Sequence, residues 1–174
     1  MQNARSDIYD IAKNYLTYDG VYVRWMIKIK KSKFYPGDIA GTLDADGYVR
    51  ITIGGVSLLA HRFAWEFDNG DIPDGMQIDH KNHIRNDNRR ENLRVVTHKD
   101  NGRNTKKSVR NKSGCVGVYW YDSRSKWWAF IGNSGKGERK SLGYYYDWFD
   151  AVCARKSAEF ALGYHENHGK SEVK

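Results

Sequence analysis

Apolar and polar positions along this chain fall into three stretches, each closed by turn-forming residues. In the first, residues 6–16 (SDIYDIAKNYL) open on an N-cap type and space Ile8, Ile11, Ala12 and Tyr15 at helical intervals, which predicts a short helix. Residues 22–29 (YVRWMIKI) alternate and are rich in β-formers, so they predict a strand. Residues 39–43 and 48–53 flank Asp44-Ala45-Asp46-Gly47, a turn sequence that favours a hairpin. The amphipathic run 58–67 (LLAHRFAWEF) reads as a helix that ends near Asn69-Gly70, ahead of Pro73.

The second stretch predicts a ββα order: a strand (MQID), a polar loop (HKNHIRNDNRREN), a strand (LRVVT) and a helix start (HKDNGRN). Residues 103–112 (RNTKKSVRNK) carry no acid and few apolar side chains, as expected of a solvated linker or a DNA-tracking segment. In the third stretch, residues 116–121 (VGVYWY), 127–131 (WWAFI) and 141–146 (SLGYYY) read as strands separated by DSRSK and GNSGKGER. A helix over 148–163 then places Ala151, Ala154, Ala158 and Ala161 on one face, small enough to lie close against a three-stranded sheet. Alternation predicts Val118, Trp120, Trp127 and Ala129 facing that helix, with Tyr119, Tyr121, Lys126, Trp128 and Phe130 facing outward.

Composition narrows the picture. A chain of 174 residues holds one ordinary domain or two small ones. Cys115 and Cys153 form no CxxC pair, which excludes a disulfide framework and a four-cysteine zinc site and fits free thiols in a reducing cytoplasm. No apolar run approaches the roughly 20 residues that span a bilayer, and the N-terminal MQNARSDIYD lacks signal-peptide order. A soluble protein of the cytoplasm is expected. The net charge of +8, with 14% aromatic residues interleaved among basic ones, suits a polyanionic partner.

The densest chemistry is Asp79, His80, Asn82, His83, Asn92, His98 and Asn101. An Asn- and Asp-rich turn that satisfies its own backbone would use many of the same residues. Zinc hydrolysis is disfavoured by the lack of an HExxH helix, and Gly135-Lys136-Gly137 reads as a turn, not as a phosphate cradle. The order IDHKN, NDNRRENLRVVT, HKDN, preceded by AHRFAWEF, resembles the HNH endonucleases of phages and introns. That resemblance covers roughly residues 37–104 and implies a ββα-metal nuclease domain within an α+β chain. It makes His80 the general base, Asp79 and Asn101 ligands of Mg²⁺ or Mn²⁺, and Asn92 the structural asparagine that bridges the loop and holds His80 in place. The chemistry suits those roles: a neutral imidazole takes a proton from water near pH 7, and a hard cation prefers carboxylate and amide oxygens. Because adjacent strand residues point to opposite faces, Asp79 and His80 can share a site only if the strand ends there. His98 or Asn104, near Asn101 in the same helix, could replace it as ligand. His61 reads as a residue that caps or orients the motif, and Arg62 either lies along the surface or meets a DNA phosphate.

Gly117-Val118-Tyr119-Trp120, Lys126-Trp127-Trp128-Ala129-Phe130-Ile131, Leu142-Gly143-Tyr144 and the alanine-rich helix resemble the plant ethylene-response-factor type of DNA-binding domain. That resemblance implies a DNA-facing sheet with Tyr119, Tyr121, Lys126 and Trp128 on its surface. Arg124, Arg139 and Lys140, and Lys106, Lys107 and Arg110 of the basic segment, are candidates for phosphate contacts. The expected division is 1–104 for the nuclease domain (core motif 77–104), 105–112 for a linker, 113–168 for the DNA-binding domain and 169–174 for a tail. The expected function is that of a monomeric, metal-dependent endonuclease, of phage homing or free-standing type, acting on double-stranded DNA. A non-catalytic DNA-binding protein of the same fold is the alternative, and an RNA-binding module that stacks its aromatics is a more distant one.

Overall fold

The computed structural model describes residues 4–30, 32–132 and 139–170, arranged as two compact units that divide between Asn101 and Gly102. The first unit is mixed α/β with three small sheets. Helix α1 (Ala4–Ala12) leads into strands β1 (Leu16–Tyr18) and β2 (Val23–Trp25), which pair antiparallel. The helix therefore stops four residues earlier than its periodicity predicts, because Leu16 is fully buried as a strand residue. The β2 strand is also shorter than expected. Residues 37–40 return beside it, with Ala40 N–H donating to Val23 O at 2.8 Å and Gly37 N–H to Trp25 O at 2.8 Å. Asp19 closes the β1–β2 turn by accepting from the Val21 and Tyr22 amides and from Arg24 Nε.

Strands β3 (Thr42–Leu43), β4 (Val49–Ile53) and β5 (Val56–Leu59) form an antiparallel meander in sequence order. The expected Asp44 turn is present: Asp44 Oδ1 accepts from the Asp46 and Tyr48 amides. The β5 strand was not predicted. Gly54 and Gly55 both take positive φ (58° and 84°), as a two-residue hairpin turn that follows the sheet twist requires. Helix α2 (Ala60–Asn69) starts directly after β5 and ends at Gly70, φ 79°. It buries Phe63 and Ala64 against Leu16, Ile51 and Leu58 of the core.

Strands β6 (Met76–His80) and β7 (Leu93–Thr97) pair antiparallel across a 3₁₀ turn at Arg90–Asn92, and α3 (His98–Gly102) follows. The strand ends at His80, one residue later than the sequence order predicts, and the polar loop follows directly. Asp79 lies opposite Arg94 and His80 opposite Leu93, both still in the ladder.

In the second unit, β8 (Val118–Tyr121), β9 (Lys126–Ile131) and β10 (Lys140–Tyr145) form an antiparallel sheet in the order β10-β9-β8, followed by α4 (Trp148–Ala161). Asp147 caps α4 by accepting from the Phe149 and Asp150 amides. Val118, Ala129, Ala151 and Cys115 form the centre of the core. Three expectations change here. The buried stripe of α4 is Ala151, Arg155 and Glu159 instead of the four alanines, because Arg155 makes a buried ion pair with Glu159 and donates to Phe130 O. Trp120 is 46% exposed and rests edge-on against Trp127, whereas Phe130, expected outward, is only 6% exposed. Residues 103–107, within the segment read as a linker and the stretch before it, are strapped to the chain end: His165 N–H donates to Arg103 O and Gly169 N–H to Thr105 O. The turn predicted at Gly135-Lys136-Gly137 and the last four residues of the predicted tail lie outside the described residues.

Candidate active site

The strand β6 presents its last two side chains to different surroundings. Asp79 is buried, and its Oδ2 accepts from Arg94 Nε at 2.9 Å and Nη2 at 2.7 Å. On the same face, two residues back, Gln77 Oε1 accepts from Asn101 Nδ2 at 2.7 Å, which docks α3 onto β6. Asn101 is thus drawn to the Asp79 side of the sheet. His98 is exposed at the first position of α3, and Asn104 lies beyond the helix, buried in the second unit.

His80 faces another wall. Its ring lies 5.0 Å from His61 in an edge-on arrangement and 6.1 Å from Tyr48, and Tyr48 lies 5.2 Å from His61. Arg85 covers Tyr48 with its guanidinium carbon 4.9 Å from the ring centre. Burial lowers the His80 pKa, opposed by a hydrogen bond with Asn88 and by the Asp79 and Asp87 carboxylates. Burial, then His80 and Arg62, push His61 down to about 3. Both imidazoles are neutral near pH 7, and for His80 that is the proton-accepting form a general base needs.

The loop between β6 and β7 is held by its own amides. Asn92 Oδ1 accepts from Asn82 N–H at 3.1 Å, and Asn92 Nδ2 donates to Asp87 O at 2.7 Å. Asn82 Nδ2 donates to Asp87 Oδ2 at 2.7 Å. Hydrogen bonding from Arg89, more than any other cause, holds the Asp87 carboxyl below its usual range. Buried His83 takes φ 66°, which lets the chain turn back sharply after His80. Asn88 Oδ1 lies 3.0 Å from His80 Nε2, while Asn92 bonds to the loop backbone at Asn82 N–H and Asp87 O. Asn88, Arg94, Tyr48 and Gln77 were all missed by sequence reasoning. Only Arg94 had a signal, as part of the Asn-Leu-Arg sequence that opens β7.

Among the described residues, no group of three or more His, Cys, Asp or Glu is placed to hold a metal ion. A cation here would depend on one carboxylate, one amide oxygen, water and substrate. That hard-oxygen donor set suits Mg²⁺ or Mn²⁺ and does not suit a closed zinc site.

Arg62 is half-buried on α2. Its side chain is 13% exposed, lies 4.0 Å from Glu66 and has Nε buried without a hydrogen-bond partner. In the second unit, Tyr119, Tyr121, Lys126 and Trp128 share one sheet face with Tyr144. Tyr121 contacts Trp128 and Tyr144, and Tyr119 stacks on Phe130. Arg124 lies 4.3 Å over Tyr144, Lys126 4.1 Å over Tyr146 and Arg139 4.8 Å over Phe130. Lys106, Arg110, Arg124, Arg139 and Lys140 are exposed, and Lys107 is half-buried.

Residues 58–103 match the HNH endonuclease family. The chain is also 36% identical over 76 residues to Protein 3.8 of Escherichia phage T7, an alignment covering 44% of this chain and 63% of that protein. The chain therefore spans less than two thirds of the length of this relative. The family match stops at residue 103 and does not reach the aromatic sheet. No solved structure matches. Among the described residues, no helix is long and apolar enough to cross a membrane.

Proposed function

We propose that the HNH match marks a working nuclease centre, and that this protein hydrolyses phosphodiester bonds of double-stranded DNA with His80 as general base. The observation that carries this reading is the end of β6: a buried, neutral His80 follows Asp79, whose face of the sheet also receives Asn101. Asp79 and Asn101 would hold a divalent cation, which when bound supplies positive charge beside the scissile phosphate. His80 accepts a proton from the attacking water as its oxygen bonds to phosphorus. The bond from phosphorus to the 3′ oxygen breaks, and that oxygen takes a proton from solvent, leaving 5′-phosphate and 3′-hydroxyl ends. Asn92 keeps the loop closed over β6 through its two backbone hydrogen bonds. The aromatic sheet face, with Arg124, Arg139 and Lys140 at its edges and Lys106, Lys107 and Arg110 upstream, would hold the duplex through its phosphates.

The Arg94 pair on Asp79 favours a second reading, in which the fold binds DNA and does not cut it. A plasmid-nicking assay with Mg²⁺ or Mn²⁺ separates the two. Cleavage that chelation removes, and that His80→Ala lowers by at least about 100-fold while gel-shift affinity holds, supports the nuclease. Wild-type protein that cuts nothing with either metal across many sequences overturns it, and equal loss of cutting and binding in His80→Ala makes the histidine structural.

A further inference from the structure

The hydrogen bond on His80 leads out of the matched region to the first hairpin of the chain. Asn88 is buried, its side-chain oxygen lies 3.0 Å from His80 Nε2, and its backbone oxygen accepts from the Tyr18 hydroxyl at 2.7 Å. Tyr18 is buried on β1, and its single hydroxyl hydrogen is shared between Asn88 O and Gly20 O, the latter 2.8 Å away. Gly20 O accepts in addition from Arg90 N–H at 3.0 Å, so the β1–β2 turn grips the loop on both sides of Arg89. Burial raises the Tyr18 pKa, so its hydroxyl stays a donor across working pH. Asn82, Asp87 and Asn92 fix the rest of the loop through bonds to one another and to its backbone.

An amide oxygen only accepts hydrogen bonds, so a partner at Nε2 must carry the hydrogen there. A neutral imidazole holds one ring hydrogen, and Nδ1 is then the nitrogen with the lone pair. We infer that Asn88 and Tyr18 are positioning residues for the His80 base: Asn88 fixes its Nε2–H tautomer and ring orientation, and Tyr18 fixes Asn88. The first hairpin, outside residues 58–103, is on this account part of the cleavage machinery. The inference rests on the nuclease reading for its kinetic consequence, but its tautomer prediction stands independently of cleavage.

The test uses the whole 174-residue chain in four forms: wild type, Asn88→Leu, Asn88→Asp and Tyr18→Phe. Leucine keeps the volume of Asn88 but cannot accept, whereas aspartate still offers an oxygen. Long-range ¹⁵N–¹H spectra of the wild type should show His80 in the Nε2–H form. On cleavable DNA, Asn88→Leu should lower kcat at least about tenfold with KM within about twofold, and His80 should shift to mixed tautomers. Asn88→Asp should restore most of kcat, and Tyr18→Phe should lower kcat with KM unchanged. A wild-type His80 in the Nδ1–H form overturns the inference, even if the variants fail to fold. So does wild-type kcat in Asn88→Leu, or equal loss in the leucine and aspartate variants. If wild type does not cut at all, the nuclease reading fails, and the spectra alone decide the role of Asn88.

Discussion

Replacing Arg155 with methionine should destabilise the second unit by about 3 kcal/mol without touching the chemistry of the first. Arg155 is 2% exposed and uses all three of its nitrogens: Nε to Glu159 Oε1 at 2.7 Å, Nη1 to Phe130 O at 2.6 Å, and Nη2 at 3.3 Å from His168 Nε2. Methionine keeps the aliphatic stem, so the loss is that of a charge and three contacts, not of volume. Breaking a buried pair from one side costs about 3–5 kcal/mol because the partner charge stays buried. The lower end applies here, because Lys156 still reaches Glu159 Oε2 at 2.7 Å. For a unit of this size, residues 102–173, each kcal/mol moves the midpoint by about 4–8 °C, so Tm should fall by about 12–24 °C. Calorimetry resolves the two units as separate transitions if they melt independently. Adding Glu159→Leu should recover part of the loss, because the stranded carboxylate is then gone. A single-variant shift below about 4 °C, or no recovery in the double variant, would refute the view that α4 is held by a buried charge network.

Two further outcomes test other parts of the chain. His61 titrates at about 3 when folded, against an ordinary 6.5, so the unfolded chain binds a proton that the folded chain refuses between those values. Its contribution is complete above pH 6.5 and is lost as pH falls toward 3, at most about 1.4 kcal/mol per pH unit; thermal melts of His61→Phe should show a flatter acid limb, and an unchanged limb contradicts the assignment. On the aromatic sheet, Arg124→Ala with Arg139→Ala should make log affinity for duplex DNA less steep in log salt by about 1.8, or about 0.9 per lost phosphate contact. An unchanged salt slope in a filter-binding titration would take DNA off that face.

Much of the local structure was legible in the sequence. Asp44-Ala45-Asp46-Gly47 specified its turn through side-chain acceptance of backbone amides, and MQID and LRVVT were recognisable as strands because their β-forming residues are bounded by polar runs. The order Asp79, His80, Asn92, Asn101 was equally visible, since residue type and spacing are properties of the chain itself. Contacts across long loops were not. Twelve residues separate His80 from Leu93, the first residue of β7, and no periodicity tells which of several asparagines in that loop will meet the ring, or that Tyr18, 70 positions before Asn88, will pin it. The same limit explains α4: alternation and helical spacing rank side chains by polarity, so they put alanines inside and Arg155 outside. Only the folded unit brings Glu159, Phe130 O and His168 together, and those partners offset the cost of burying the guanidinium. Sequence determined most of the elements and which chemistry is present; the tertiary structure decided their ends and which polar groups find partners, because hydrogen bonds depend on distances that only packing sets.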